Sequence, residues 1–281
     1  MSEEKSPLAD LVSGQISLQS ELDRIFNIFS KTKALIRPHF ILTGASGTGK
    51  TLIITSLCEK HNVGFLEINA ASLTKEGTSG NSLSKALGPL INLGNKPTVV
   101  FVDEFDKLFI SGNSNSSSAH ETTTGVQNEF LKVLESDSTQ VYGDYGKYVD
   151  ASTKNCLFIF AGAFNNEENI TIDRLREIGI KTEFIGRVGL IFNTTKLTLE
   201  ELYAILENSP LLNNYCRFIK GAQDKKQETI GVIKEYLKNN YELNSLGARV
   251  INTLIHSYYI NNGKLEKEAI DDIMFHSAIE L

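Results

Sequence analysis

Residues 44–51 read GASGTGKT, which fits the spacing glycine, four residues, then Gly-Lys-Thr. The apolar run HFILT (39–43) stands directly before it, and KTLIITSLCEK, with a helical pattern, follows. Gly44, Gly47 and Gly49 let backbone N–H groups turn inward around phosphate oxygens where a Cβ would clash. Ala45, Ser46 and Thr48 fill the rest of the cradle, and Leu52 follows it into the helix, whose N-terminus adds positive potential. In this motif Lys50 reaches the β- and γ-phosphates and the Thr51 hydroxyl ligates Mg²⁺. A chance glycine-rich turn has no reason to sit between a strand and a helix. The expected ligands are ATP and Mg²⁺.

A second group of residues complements the first. TVVFVDEFDKL places Asp103 and Glu104 at the end of an apolar run, 53 residues after Lys50. In open α/β sheets, ligands bind beyond the carboxyl ends of the strands. There Asp103 can serve the Mg²⁺ shell, and Glu104 can orient and deprotonate an attacking water. Paired acids after a strand are otherwise often a helix cap, but the phosphate loop favours the chemical reading.

Positioning these groups requires a parallel sheet. Five short runs carry strand character: HFILT (39–43), GFLEI (64–68), VVFV (99–102), CLFIF (156–160) and VGLIF (188–192). Helical patterns separate them, and near-continuous apolar runs are expected of strands covered on both faces. The helix-rich remainder begins near Lys196, where LTLEELYAILENS, ETIGVIKEYLKNNY and LGARVINTLIHSYY all repeat with the helical period. The expected architecture is an α/β P-loop domain over 1–195, with a five-stranded parallel sheet flanked by helices. A small all-α lid over 196–281 follows. Ser111–Gly125, rich in Ser, Thr and Asn, reads as a surface loop.

The net charge of −6 argues against a surface dominated by nucleic-acid phosphates without excluding a local basic groove. No run approaches the roughly 20 apolar residues of a membrane span, and MSEEKSPLAD has no signal-peptide pattern. Three scattered cysteines without a CxxC pair read as buried free thiols. The expected compartment is the cytoplasm.

The order of the phosphate loop, VDEFDKL, GVQNEFLKVLE, DASTKNCLFIFAGAF, EFIGRVGLIF and LGARVINTLI resembles AAA+ ATPases of the ClpX/HslU unfoldase group. The resemblance implies a homo-oligomeric ring, usually a hexamer, with ATP at each subunit interface. It assigns Arg187, in EFIGR, to the arginine finger that enters a neighbour's site. A guanidinium suits that task because it stays charged and chelates phosphoryl oxygens. Arg249, in GAR, matches the arginine that ties the small domain to the bound phosphates. LVSGQ matches the segment packing near adenine, which makes Val12 and Ser13 candidates, and Asn165 is a candidate for the polar sensor after CLFIF.

Several departures qualify the resemblance. Where the unfoldases carry a glycine–aromatic–aliphatic–glycine channel loop, Gly77–Gly80 reads GTSG, and Thr78 replaces the gripping aromatic. No cysteine-rich zinc domain precedes Leu11, and residues 165–182 are too few for the insertion that tethers a peptidase ring. HETTTGVQ could form a second channel element. Tyr142, Tyr145 and Tyr148 in VYGDYGKY read as hairpin packing. The first expectation is an ATP-hydrolysing remodeller of a protein client or assembly, without a peptidase partner. The alternatives are an ATP-dependent assembly switch or scaffold, and a nucleic-acid-associated motor.

Overall fold

The computed structural model describes residues 16–74, 81–109, 117–143, 146–219 and 221–265, and only the backbone of residues 16 and 117–123. By contacts the chain divides into two compact units. One comprises Gln15–Ala45 and Lys50–Thr195; the other includes Ser46–Gly49 and the residues from Lys196 onward.

The first unit is built on strands β1 (Phe40–Thr43), β2 (Gly64–Asn69), β3 (Thr98–Asp103), β6 (Cys156–Gly162) and β7 (Leu190–Asn193). They form one parallel sheet in the order β2-β3-β6-β1-β7. Their period-2 alternation sorts each strand onto two faces. Val99, Phe101, Leu157 and Ile159 pack with Leu22, Phe26 and Phe29 of helix α1 (Ile16–Lys31) and Ile53, Ile54 and Leu57 of α2 (Lys50–Lys60). Val100, Val102, Phe158 and Phe160 pack on the other face with Val126, Phe130 and Val133 of α5 (Ser117–Glu135). Leu175 of α6 (Ile172–Ile178) and Phe184 of α7 (Thr182–Val188) join them. With both faces covered, β3 is buried at five of its six positions and β6 at all seven, which is why these runs do not alternate in polarity.

Short helices α3 (Leu83–Ala86) and α4 (Leu90–Leu93) lie between β2 and β3. Strands β4 (Ser138–Tyr142) and β5 (Tyr148–Ser152) form an antiparallel hairpin outside the main sheet. Across it the Tyr142 and Tyr148 rings meet edge to face at 5.6 Å, the packing expected from the sequence.

Among its described residues, the second unit contains helices α8 (Leu199–Glu207), α9 (Pro210–Phe218), α10 (Lys226–Asn240) and α11 (Arg249–Ile260), and no strand. Thr198 and Glu201 close a reciprocal capping box at the start of α8. Leu202, Leu206, Leu212, Ile233, Leu237, Val250, Ile251, Leu254 and Ile255 form its core.

Two expectations are corrected. The Ser/Thr-rich stretch to Gly125 is not loop throughout, because α5 starts at Ser117. Burial of Val126, Phe130 and Val133 along one stripe carries the helix into a segment of weak intrinsic preference. Val188 ends α7, with Gly189 at φ 76° as its cap, and the last strand begins only at Leu190. The three cysteines are free and buried; burial pushes the thiols of Cys58 and Cys156 up to about 12 and about 11. Val12, Ser13, Gly77–Gly80, Tyr145 and the chain beyond 265 lie outside the described residues. Among those described, no helix is long and apolar enough to cross a membrane.

Candidate functional site

At the end of β1 the chain needs a glycine. Gly44 has φ +134°, and a Cβ there would stand 1.9 Å from Thr194 Oγ1. Thr194 donates to the Thr43 carbonyl from its backbone N–H at 2.8 Å and from its hydroxyl at 3.1 Å. The Thr43 hydroxyl donates to Asn193 Oδ1 at 2.5 Å, and Asn193 Nδ2 donates to the Ile170 carbonyl at 3.2 Å. The start of the loop is thereby clamped to the end of β7. Asn193 and Thr194 carry little signal in the sequence, only that of a polar pair following the apolar run of β7.

Lys50 opens α2, and its ammonium donates to the Gly44 and Ala45 carbonyls at 2.5 and 2.9 Å. Thr51 is half-buried beside it, while Leu52 is exposed and Ile53 and Ile54 face the core. Gly49 adopts φ +86° with no atom within 4 Å of its missing Cβ. α2 begins at Lys50, and the positive end of a helix dipole suits an anion.

β3 exits two strands from β1, with β6 between them, a separation of about 10 Å at ordinary strand spacing. Because all three run parallel, Lys50 and Thr51 at the exit of β1 and Asp103 and Glu104 at the exit of β3 share one edge of the sheet. Glu104 is exposed and left-handed, φ 54° and ψ 31°, and its N–H donates to Asp103 Oδ1 at 2.8 Å. A non-glycine residue held there carries roughly 1 to 2 kcal/mol of backbone strain. Asp106 is 1% exposed and accepts from the Ala163 and Phe164 N–H groups at 3.2 and 3.1 Å. A Cβ on Gly162 would fall 2.5 Å from that carboxylate. The exits of β3 and β6 are thus joined through one buried side chain, which nothing in VDEFDKL distinguishes from its acidic neighbours.

Phe164, Asn165 and Asn166 are consecutively left-handed, φ 47°, 57° and 59°, where β6 leaves the sheet. Asn165 is exposed at this turn. Arg187 lies elsewhere in the unit, on α7. Its Nη2 pairs with Glu135 Oε1 at 2.9 Å, and its side chain is 57% exposed.

In the other unit, the loop residues Ser46–Gly49 pack against the approach to α11 by main chain. A Cβ on Gly47 would stand 2.0 Å from the Leu246 carbonyl, and one on Gly247 would stand 2.6 Å from the Gly47 carbonyl. Ala248 N–H donates to that carbonyl at 3.0 Å. Arg249 Nη1 donates to Ser46 Oγ at 2.7 Å. The structure therefore brings Arg249 to Ser46, and Gly247 in GAR is the residue that permits the approach.

Comparison with known proteins follows the same lines. A model of the ATPase family associated with various cellular activities matches residues 40–182, just over half of the chain. The ATP-dependent Clp protease ATP-binding subunit ClpX 2 of Wolinella succinogenes is 31% identical over 205 residues, 62% of this chain and 52% of its own. The ClpX subunit of Bacteroides fragilis is 26% identical over 265 residues, 79% of this chain and 64% of its own. That of Borrelia duttonii is 26% identical over 289 residues, 86% and 63% respectively. The chain spans between half and just under two thirds of the length of these relatives.

Proposed function

This chain belongs to the AAA family of ATPases, and from that premise we propose that it binds ATP with Mg²⁺, hydrolyses it, and uses the cycle to remodel a protein client or assembly. The observation that carries this reading is the shared sheet edge of Lys50–Thr51 and Asp103–Glu104.

In it, Lys50 turns from the loop carbonyls to the β- and γ-phosphates, and the amides of the loop and of α2 hold the phosphate oxygens. The donor set fits the metal: one hydroxyl, Thr51, and one carboxylate, Asp103, leave the remaining positions of an octahedral ion to phosphate and water. That ion would neutralise charge on the β- and γ-phosphates. Glu104 takes the proton of the attacking water as the bond to the γ-phosphorus forms and the bridging bond to the β-phosphate breaks. Arg187 of one copy completes the next copy's site in a ring, as the similarity to ClpX subunits supports, and Arg249 reads the phosphates from the helical unit.

A second reading, an ATP-controlled assembly switch without threading, is favoured by the polar GTSG stretch at 77–80. The deciding experiment is Glu104→Gln. The variant is expected to retain ATP and remain assembled while turnover falls by about 100-fold or more. Hydrolysis at the parent rate would remove Glu104 from the reaction. Client capture by the trapped form, with release after hydrolysis in the parent, separates the remodeller from the switch.

A further inference from the structure

Phe105 directly follows Glu104, and its ring stacks on Phe184, with centroids 5.2 Å apart and planes 21° apart. Phe184 stands one turn before Arg187 on α7. Both rings are fully buried. Phe160 packs against each of them, at 4.8 and 4.9 Å, and Phe130 meets Phe105 at 6.2 Å. The aromatic contact thus runs from the turn that carries the water-activating carboxylate to the helix that carries the guanidinium.

The Phe105 ring is held from both sides. Before it, Glu104 is strained into the left-handed region. After it, the Asp106 carboxylate is pinned by two backbone N–H groups of the β6 exit. An interior at crystal-like density cannot absorb a displaced ring continuously, so movement of one face passes to the other. Leaving the left-handed region would release the local backbone strain at Glu104.

We propose that Phe105 and Phe184 are positioning residues that make the setting of α7 follow the conformation of the Glu104 turn. What occupies one copy's site then decides how Arg187 is offered to the next copy. The proposal rests on the reading of Arg187 as a group that acts on a neighbour's nucleotide. It adds a route by which neighbouring sites sense one another, carried by two rings that touch no nucleotide.

The test uses the full chain and the replacement Phe105→Met, whose flexible apolar side chain occupies most of the space without a ring to stack. Expected is a kcat lowered about threefold to tenfold at an ATP KM within about twofold of the parent, and a Hill coefficient for ATP that falls toward one. In an Arg187→Lys background the same replacement should change kcat by less than about twofold, because the group through which it acts is already impaired. Phe184→Leu should behave in the same way, and it decides the matter if Phe105→Met does not fold. An equal loss in both backgrounds, or a lowered melting temperature with unchanged kcat and Hill coefficient, overturns the link. Arg187→Lys hydrolysing at the parent rate would instead sink the reading of Arg187, and the link with it.

Discussion

Arg187 Nη2 stands 2.9 Å from Glu135 Oε1, joining the last turn of α7 to the final residue of α5. A carboxylate at a helix C-terminus is opposed by the helix dipole, which gives Glu135 reason to seek a cation. Both side chains are about half exposed, so solvent screens the pair and it adds at most about 1 kcal/mol to stability. Its consequence is competition. Glu135 holds the guanidinium that the proposed ring would need elsewhere. Glu135→Gln is expected to shift the melting temperature by only a few degrees, roughly what 1 kcal/mol produces. ATP turnover should rise by up to about fivefold. A fall in turnover would mean that Glu135 orients Arg187 rather than competing for it.

The proposed trans arrangement has its own signature. On that proposal Arg187→Ala and Lys50→Ala should each be inactive alone, because one would lack the guanidinium and the other the ammonium assigned to the phosphates. Mixed in the proposed ring, they would form some interfaces with an intact Lys50 on one side and an intact Arg187 on the other. Steady-state phosphate release should therefore reappear on mixing, peaking at intermediate ratios. Its absence would place Arg187 outside the neighbour's site.

Gly44 is constrained twice, by its φ of +134° and by Thr194 Oγ1 at 1.9 Å from a would-be Cβ. Gly44→Ala is expected to abolish nucleotide binding and lower stability by about 1–3 kcal/mol. Adding Thr194→Ala removes the overlap with Oγ1 but leaves the residue-194 Cβ and carbonyl oxygen at 3.0 Å, together with the dihedral strain. The double variant should remain without measurable ATP binding by equilibrium titration. Recovery of binding would show that the overlap with Thr194 Oγ1, not the dihedral, demands the glycine.

His39 supplies a pH dependence. Its Nδ1 accepts from the Phe158 N–H at 3.0 Å, and burial, aided by Arg37, lowers its pKa from 6.5 to about 4. Because the folded value lies below the unfolded one, the unfolded chain binds the proton first as pH falls. This contribution is intact above pH 6.5 and is lost between 6.5 and 4, with a slope approaching about 1.4 kcal/mol per pH unit. Denaturant titrations from pH 7 to 4 should show a steeper loss for the parent than for His39→Asn, an uncharged acceptor. Parallel curves would exclude His39.

Much of this was legible in the chain alone, for a local reason. The strand–GASGTGKT–helix order is contiguous, and the chemistry expected of it rests on spacing within eight residues. The five apolar runs and the helical periods likewise reflect burial patterns that each segment carries for itself, and they gave the parallel sheet and the helical remainder. What spacing could not carry is which distant residues meet. α5 continues back to Ser117 through a polar segment because its later turns are buried. Asp106 reaches the N–H groups of Ala163 and Phe164, and Thr194 closes on Gly44, only because parallel strands bring their exits to one edge. Arg187 finds Glu135, and Phe184 finds Phe105, across helices that the shared core holds together. Periodicity records how much of a side chain is buried; only the packed chain decides what it is buried against.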